Sequence, residues 1–129
     1  MIEVKFYKDR VKKEIDPKLF SEVAERCAEE IHKSGGKNSN KRTQLRKFYD
    51  AIIELNNRVK RNPDDWSNIL ALVNMVIAKV VYAKGRNNLV SDDFVKLMKN
   101  CIAQVEYPED LDVFAHFFEA FMGFYRQYE

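Results

Sequence analysis

The chain has 129 residues, of which 46% are hydrophobic and 33% charged, and its formal net charge is +2. These values are typical of a soluble protein with one core, so we predict a single domain over residues 1–129. No apolar run reaches the roughly 20 residues that span a bilayer, and no secretory signal is visible, so we expect a cytoplasmic protein without membrane contact. Only four Gly and three Pro are present, which favours helices over a many-stranded sheet.

The N-terminal segment, Met1 to Glu14, is charged and weakly patterned. We predict a loosely held arm or a short helix there, covering residues 1–15 at most. Asp16 and Pro17 then predict a helix start, because Asp caps helices and Pro suits the first helical position. Apolar residues follow at spacings of three and four, as on one face of a helix. We expect this helix to end at Ser34-Gly35-Gly36, where Gly can take the left-handed conformation that caps a C-terminus.

The second and third predicted helices occupy the middle of the chain. The second should begin at Ser39 or Asn40, both capable N-caps, and end before the Asn62-Pro63-Asp64 break. The third, Asp65 to Lys84, is apolar on most of its circumference. A helix of that kind is expected at the centre of a bundle or in an interface.

Two further helices complete the pattern. Ser91 should cap the fourth, and Pro108 should open the fifth, which runs from Glu109 to Tyr128. The aromatic residues of the fifth helix recur at core spacing, so we assign them to the core or to a protein contact rather than to base stacking. We therefore predict an all-α fold, a compact bundle of about five helices. The apolar third and fifth helices also suggest self-association, as a dimer or a filament.

Charge is distributed unevenly along the chain. The stretch from Ile31 to Tyr49 contains no acid and six cations: Lys33, Lys37, Lys41, Arg42, Arg46 and Lys47. Cations at a helix start oppose the helix dipole, and the first acid at helical spacing is Asp50. A bound phosphate would relieve this conflict, so we interpret the stretch as a nucleic-acid contact. A solvated basic face, or pairing with the acidic fifth helix, is the alternative.

A second basic cluster lies at the end of the third helix and comprises Lys79, Lys84 and Arg86. Lys84 suits the negative end of the helix dipole and needs no further role. Arg86, beyond Gly85, is the more open candidate for binding.

No arrangement of residues predicts catalysis. A glycine-rich phosphate loop and a nucleophile with its base are both missing. His116 and Glu119 have a spacing found in metal sites, but no second pair supports them, so a structural histidine is favoured. Cys27 and Cys101 fit the core. The acids that directly follow Pro108 suit a helix N-terminus: Glu109, Asp110 and Asp112. We therefore predict a protein that is not an enzyme and has neither cofactor nor metal.

Three segments together resemble the small helical subunit of type III-A CRISPR effector complexes, the Csm small-subunit family. Arg42 to Tyr49 (RTQLRKFY) is similar to that family's hydroxyl–Gln–apolar–Arg–Lys–Phe signature. Tyr82 to Arg86 (YAKGR) is similar to its Tyr-Ala-x-Gly-Arg helix end. Phe117 to Phe121, with Tyr125, is similar to its terminal aromatic–Glu–Ala helix. In this order the three segments cover about residues 40–126.

The resemblance implies a non-catalytic subunit that binds single-stranded RNA or the guide–target RNA duplex beside the backbone and large subunits of the effector complex. Its contacts would be to phosphate and sugar, without sequence preference. The matched basic positions are Arg46, Lys47 and Arg86. Charge alone adds the remaining candidates, which are Lys37, Lys41, Arg42 and Lys84. The competing hypothesis is a helical protein–protein interaction module with no direct nucleic-acid contact.

Overall fold

The computed structural model describes residues 3–128. Within these residues five α-helices follow a short β-hairpin, which confirms the predicted all-α bundle. The elements are β1 (Tyr7–Asp9), β2 (Glu14–Ile15), α1 (Ala24–Ser34), α2 (Arg42–Arg61), α3 (Trp66–Gly85), α4 (Asp92–Ala103) and α5 (Pro108–Tyr125). A π-helical turn at Leu19–Val23 leads into α1, and single 3₁₀ turns at Pro63–Asp65 and Arg126–Tyr128 precede α3 and follow α5.

The central helix of the bundle is α5, which packs against both α1 and α2. Its aromatic side chains are buried in the core, as predicted: Phe114, Phe117, Phe118 and Phe121. They stack on one another and on neighbouring rings, with Phe114 and Phe118 5.8 Å apart between ring centroids. Because this aromatic face is covered by the bundle itself, α5 does not supply the open apolar surface expected for self-association.

Helix α3 lies at the edge of the bundle, where its main contacts are with α2 and α4. The alternating burial along α3 shows one covered face, including Val73 and Val80, and one open face, including Met75 at 49% exposure. The expectation of a central position for α3 was therefore wrong. The expectation of an interface stays open, because the outer face is apolar and uncovered in the single chain.

The stretch Pro63–Gly85, which contains α3, is long and apolar enough to cross a membrane, with a mean hydropathy of 1.5. This corrects the expectation that no apolar stretch of sufficient length exists. Core helices of soluble proteins reach the same length and hydropathy, so this stretch does not by itself indicate a membrane span. Packing of α3 against α2 and α4 accounts for part of its apolar character.

The N-terminal segment is not a loose arm, and this expectation was wrong for the residues described. Val4 and Phe6 are fully buried, and the Phe6 ring lies 6.0 Å from that of Phe114. The Gln104 side chain accepts a 2.9 Å hydrogen bond from the Phe6 N–H and donates one of 2.7 Å to the Val4 carbonyl. The alternating apolar residues of this charged segment therefore lie on the core, directly ahead of β1. Residues 1 and 2 lie outside the described residues.

The connection between α1 and α2 differs from the prediction in two ways. Gly35 has an extended backbone (φ −88°) rather than a left-handed one, and the left-handed residue is Asn40 (φ 55°). Neither Ser39 nor Asn40 caps α2, because the helix begins at Arg42 with Lys41 as its N-cap.

Asn40 has a different structural role, because its buried amide joins three segments of the chain. It donates to the Ile31 carbonyl (2.9 Å) and to Ser91 Oγ (2.8 Å), and it accepts from the Ser91 N–H (2.8 Å). Ser91 in turn caps α4 by accepting from the Phe94 N–H at 3.2 Å, as predicted. The loop before α2 is thus fixed to the end of α1 and the start of α4.

Candidate nucleic-acid interface

A groove of about 330 Å³ lies between α2 and α3 near the start of one helix and the end of the other. Each helix contributes residues at i, i+3, i+4 and i+7, which is one helical face. The lining residues are Gln44, Lys47, Phe48 and Ala51 from α2, and Lys79, Tyr82, Ala83, Arg86 and Leu89 from α3 and the residues after it. We refer to this surface as the α2–α3 groove.

The α2–α3 groove has an apolar floor and a cationic rim. Phe48 and Ala83 are 6% and 4% exposed and form part of the floor. The cations of the rim, Lys47, Lys79 and Arg86, are all exposed side chains. No Asp or Glu occurs among the described residues that line the groove. Three cations without a lining acid give a locally positive surface that would attract an anion.

Two other predicted residues, Arg46 and Arg42, are on α2 but do not line this groove. The Arg46 guanidinium lies 3.8 Å from a carboxylate oxygen of Asp50, and both side chains are about 60% exposed. Such an exposed pair has little energetic value and leaves the arginine able to exchange partners. Arg42 is the half-buried first residue of the helix.

Lys37 and Lys41 lie in a different place, around the loop that joins α1 to α2. They line a cavity of about 390 Å³ together with His32 and Tyr128, whose rings are stacked with centroids 4.2 Å apart. Neither lysine lines the α2–α3 groove. The basic stretch that is continuous in sequence is therefore divided between two concave surfaces.

Lys84 and Lys33 are engaged by neighbouring side chains. Lys84 Nζ lies 2.9 Å from Asn88 Oδ1 and 3.8 Å from Asp92 Oδ1. Lys33 donates a 2.8 Å hydrogen bond to Glu29, four residues earlier on α1, and this raises the pKa of the lysine and lowers that of the glutamate. Of the basic residues proposed for binding, Lys84 is the one whose surroundings fit a structural role best.

The start of α2 shows the electrostatic conflict that the sequence predicted. Its N-cap, Lys41, makes no side-chain capping hydrogen bond, and its first turn contains no acid. By contrast, α4 begins with a serine cap and Asp92, and α5 begins with a capping box that includes Asp110. An unneutralised helix start is a favourable place for an anion, because free N–H groups and the dipole act together.

The described residues contain no group of three or more His, Cys, Asp or Glu that could hold a metal ion. His116 is exposed, and its Nδ1 lies 2.8 Å from the Asp112 carbonyl oxygen within its own helix. Cys27 and Cys101 are free and buried, as predicted. Burial raises the pKa of the Cys27 thiol to about 12, so it is not a thiolate at neutral pH.

Two groove residues were missed as candidates by the sequence analysis, Lys79 and Tyr82. Lys79 was noted only as part of a basic cluster, and Tyr82 only as part of the family signature. The available signal was their helical spacing to Arg86, since positions 79 and 82 share one face of α3 and Arg86, directly after the helix, lines the same groove. Which side of α2 this face meets depends on helix packing, and the one-dimensional pattern does not contain that information.

The fold and the groove define a class: a small all-helical protein whose exposed cations converge on a cleft between two antiparallel helices. The family model Csm2 Type III-A matches residues 12–129. The chain therefore belongs to this family and is a subunit of the type III-A CRISPR complex, which implies association with the other Csm subunits. The match confirms the resemblance and extends it beyond residues 40–126 to include α1. No curated protein and no solved structure matches the chain.

Proposed function

We propose that this subunit is a non-catalytic RNA-binding protein that contacts the phosphate backbone of guide or target RNA without sequence specificity. The observation that carries the proposal is the α2–α3 groove, where Lys47, Lys79 and Arg86 converge without a lining acid. Phosphate contacts hold a protein on RNA but read no bases. Arg46, one residue along α2 from Lys47, extends this contact across the exposed surface of the helix.

Lys37 and Lys41 form a secondary part of the proposed interface. They lie around the loop before α2, next to the uncapped start of that helix. An RNA strand that passes from the groove along α2 would meet them and Arg42. Lys84 is expected to contribute least, since Asn88 and Asp92 already surround its ammonium group.

The test is fluorescence anisotropy with a labelled, unstructured single-stranded RNA at several salt concentrations. The affinity of the native protein should fall by roughly 0.7 log units per log unit of salt for each phosphate neutralised. Lys47→Ala with Arg86→Ala should lower both the affinity and this slope. Both side chains are exposed, so the free energy of unfolding should change by less than about 0.5 kcal/mol per substitution.

The matched control is Lys96→Ala with Lys99→Ala, which removes the same charge from exposed positions on α4. If the control pair weakens binding as much as the groove pair, the contact is diffuse attraction to net charge and the groove has no special role. Strong dependence on RNA sequence, or affinity independent of salt, would contradict a backbone contact.

A second candidate function is a helical protein–protein interaction module, which is favoured by the open apolar face of α3. Ala71, Met75 and Ala78 follow one another at helical spacing along this face and are all exposed. The partner would be another Csm subunit or a second copy of the chain in a dimer or filament. Met75→Glu should then reduce copurification with the other subunits, or self-association by light scattering, while RNA affinity stays within about twofold. Unchanged association in both assays would reject this face as the contact.

A further inference from the structure

Tyr82 has a position unlike that of the other tyrosines. It is 67% exposed, and no ring or cation contact to it occurs within the described residues. Every other tyrosine ring packs on an aromatic ring or a cation: Tyr7 on Arg10 and Lys13, Tyr49 on Phe118, Tyr107 on Lys13, Tyr125 on Phe121 and Tyr128 on His32. Tyr82 thus presents an uncovered aromatic surface to solvent.

This uncovered ring belongs to the α2–α3 groove. Lys79 precedes it by three residues on α3 and Arg86 follows by four, directly after the helix, so cations that line the same groove flank the ring. Lys47 lies across the groove on α2, above the apolar floor that includes Phe48. An aromatic ring between cations beside an apolar floor has the chemistry of a site for one nucleotide, with its base stacked and its phosphates paired.

We propose that Tyr82 stacks on an unpaired base and thereby makes the α2–α3 groove selective for single-stranded over double-stranded RNA. The inference rests on the proposed RNA contact and adds a residue that distinguishes RNA forms. In an A-form duplex the base faces are already stacked, and the narrow major groove excludes side chains. A duplex can therefore offer phosphates to Lys47, Lys79 and Arg86 but no base face to Tyr82.

The experiment compares Tyr82→Ala, Tyr82→Phe and the neighbouring control Val81→Ala, whose side chain is also exposed. Each protein is titrated with a short single-stranded RNA and with the same sequence as a duplex. Loss of one base–aromatic stack corresponds to a decrease in affinity of about fivefold or more. Tyr82→Ala should show this loss for the single strand only, while Tyr82→Phe and Val81→Ala should bind like the native protein.

Two further measurements separate stacking from a structural effect. A 2-aminopurine base in the single strand should be quenched by the native protein and by Tyr82→Phe, but not by Tyr82→Ala. The salt slope of Tyr82→Ala should equal that of the native protein, because the phosphate contacts remain.

The outcomes distinguish this inference from the proposed function. If the native protein binds RNA with the expected salt slope and Tyr82→Ala binds equally well, stacking is refuted and the phosphate contact stands. If Tyr82→Ala loses the same affinity for single-stranded and double-stranded RNA, stacking is also refuted. If the native protein shows no salt-dependent binding, the proposed function itself fails. If Tyr82→Ala instead loses only copurification with the other Csm subunits, the ring belongs to a protein contact and the inference is overturned.

Discussion

Asp110, at the start of α5, is the polar residue whose removal should destabilise the N-terminal hairpin most. Its side chain is 0% exposed. It accepts hydrogen bonds from Tyr7 Oη at 2.6 Å, from Lys13 Nζ at 3.0 Å and from the N–H groups of Glu106 and Tyr107 at 3.0 and 2.9 Å. One carboxylate therefore caps α5 and fastens the hairpin to it.

The perturbation is Asp110→Ala, which leaves these donors without an acceptor. An uncompensated buried donor costs about 1–3 kcal/mol, and breaking a buried charged pair costs about 3–5 kcal/mol. Lys13 is about one third exposed and can turn to water, whereas the Tyr7 side chain is buried. We expect a loss of about 3–5 kcal/mol in the free energy of unfolding, or roughly 10–20 °C in Tm.

The pH dependence provides an independent check on the same carboxylate. Burial raises the pKa of Asp110, but hydrogen bonds from Tyr7, Lys13 and the two backbone N–H groups outweigh it, so the pKa lies below the usual value. A carboxyl whose pKa is depressed by folding stabilises the protein above its unfolded pKa, near 3.9, and loses that contribution as the pH falls through the folded pKa. The free energy of unfolding of the native protein should therefore exceed that of Asp110→Asn by its full amount at pH 7, and this difference should shrink below about pH 4.

The assay is urea unfolding at pH 7 and at several acidic values, with Glu109→Gln as the control. Glu109 is the exposed acid next to Asp110 in the first turn of α5, so its loss should cost no more than about 1 kcal/mol through the helix dipole. A cost for Asp110→Ala similar to that of the control would refute the role of Asp110 in holding the hairpin. If the free energies of unfolding of the native protein and Asp110→Asn differ by the same amount at every pH, the argument from the Asp110 charge is refuted.

Three other changes test the fold. Asn40→Ala removes the buried amide that joins α1 to α4, and it should cost about 3 kcal/mol in urea unfolding. Gly35→Ala should destabilise the protein by about 1–3 kcal/mol, because the added Cβ would lie 3.0 Å from two atoms, whereas at Gly36 it meets nothing within 4 Å and the same change should be near neutral. Cys27 and Cys101 should resist thiol reagents at pH 8 until the protein unfolds, because burial raises both pKa values; rapid labelling of the native state would contradict this.

The helices could be predicted because their signals are local. The serine cap at Ser91 and the proline at the start of α5 determine where these helices begin, and the spacing of apolar residues identifies their buried faces. The N-terminal segment could not be predicted in this way. Val4 and Phe6 show only two repeats of an alternating apolar pattern, and Gln104, whose side chain bonds to the backbone of both, lies about 100 residues away. Asp110, which accepts from the Tyr7 hydroxyl, is just as distant in the chain. Long-range pairing of this kind leaves almost no trace in a local pattern.

The candidate site was predicted in part, for a similar reason. Its charge excess is visible in the sequence, and the family resemblance selected Lys47 and Arg86, which the structure places in one groove. The division of the other lysines between separate surfaces follows from the turn at Asn40, whose left-handed backbone and three-way hydrogen bonding were not expected. The sequence therefore predicts a larger cluster of cations than the fold brings together in the α2–α3 groove.

The packing of α2 against α3 also affects the unfavourable interaction between the cations at the start of α2 and the dipole of that helix. Because Lys47, near the start of α2, shares a groove with Arg86, just past the end of α3, the negative end of the α3 dipole lies beside the α2 cations and offsets part of their unfavourable interaction. The case for binding therefore depends on the acid-free groove more than on one helix start. Arg46 has Asp50 within 3.8 Å, whereas the cations that share the groove with Lys47 can only repel it. Lys47→Ala should consequently weaken RNA binding more than Arg46→Ala when both are measured by anisotropy at the same salt concentration, and the reverse order would move the contact from the groove to the outer surface of α2.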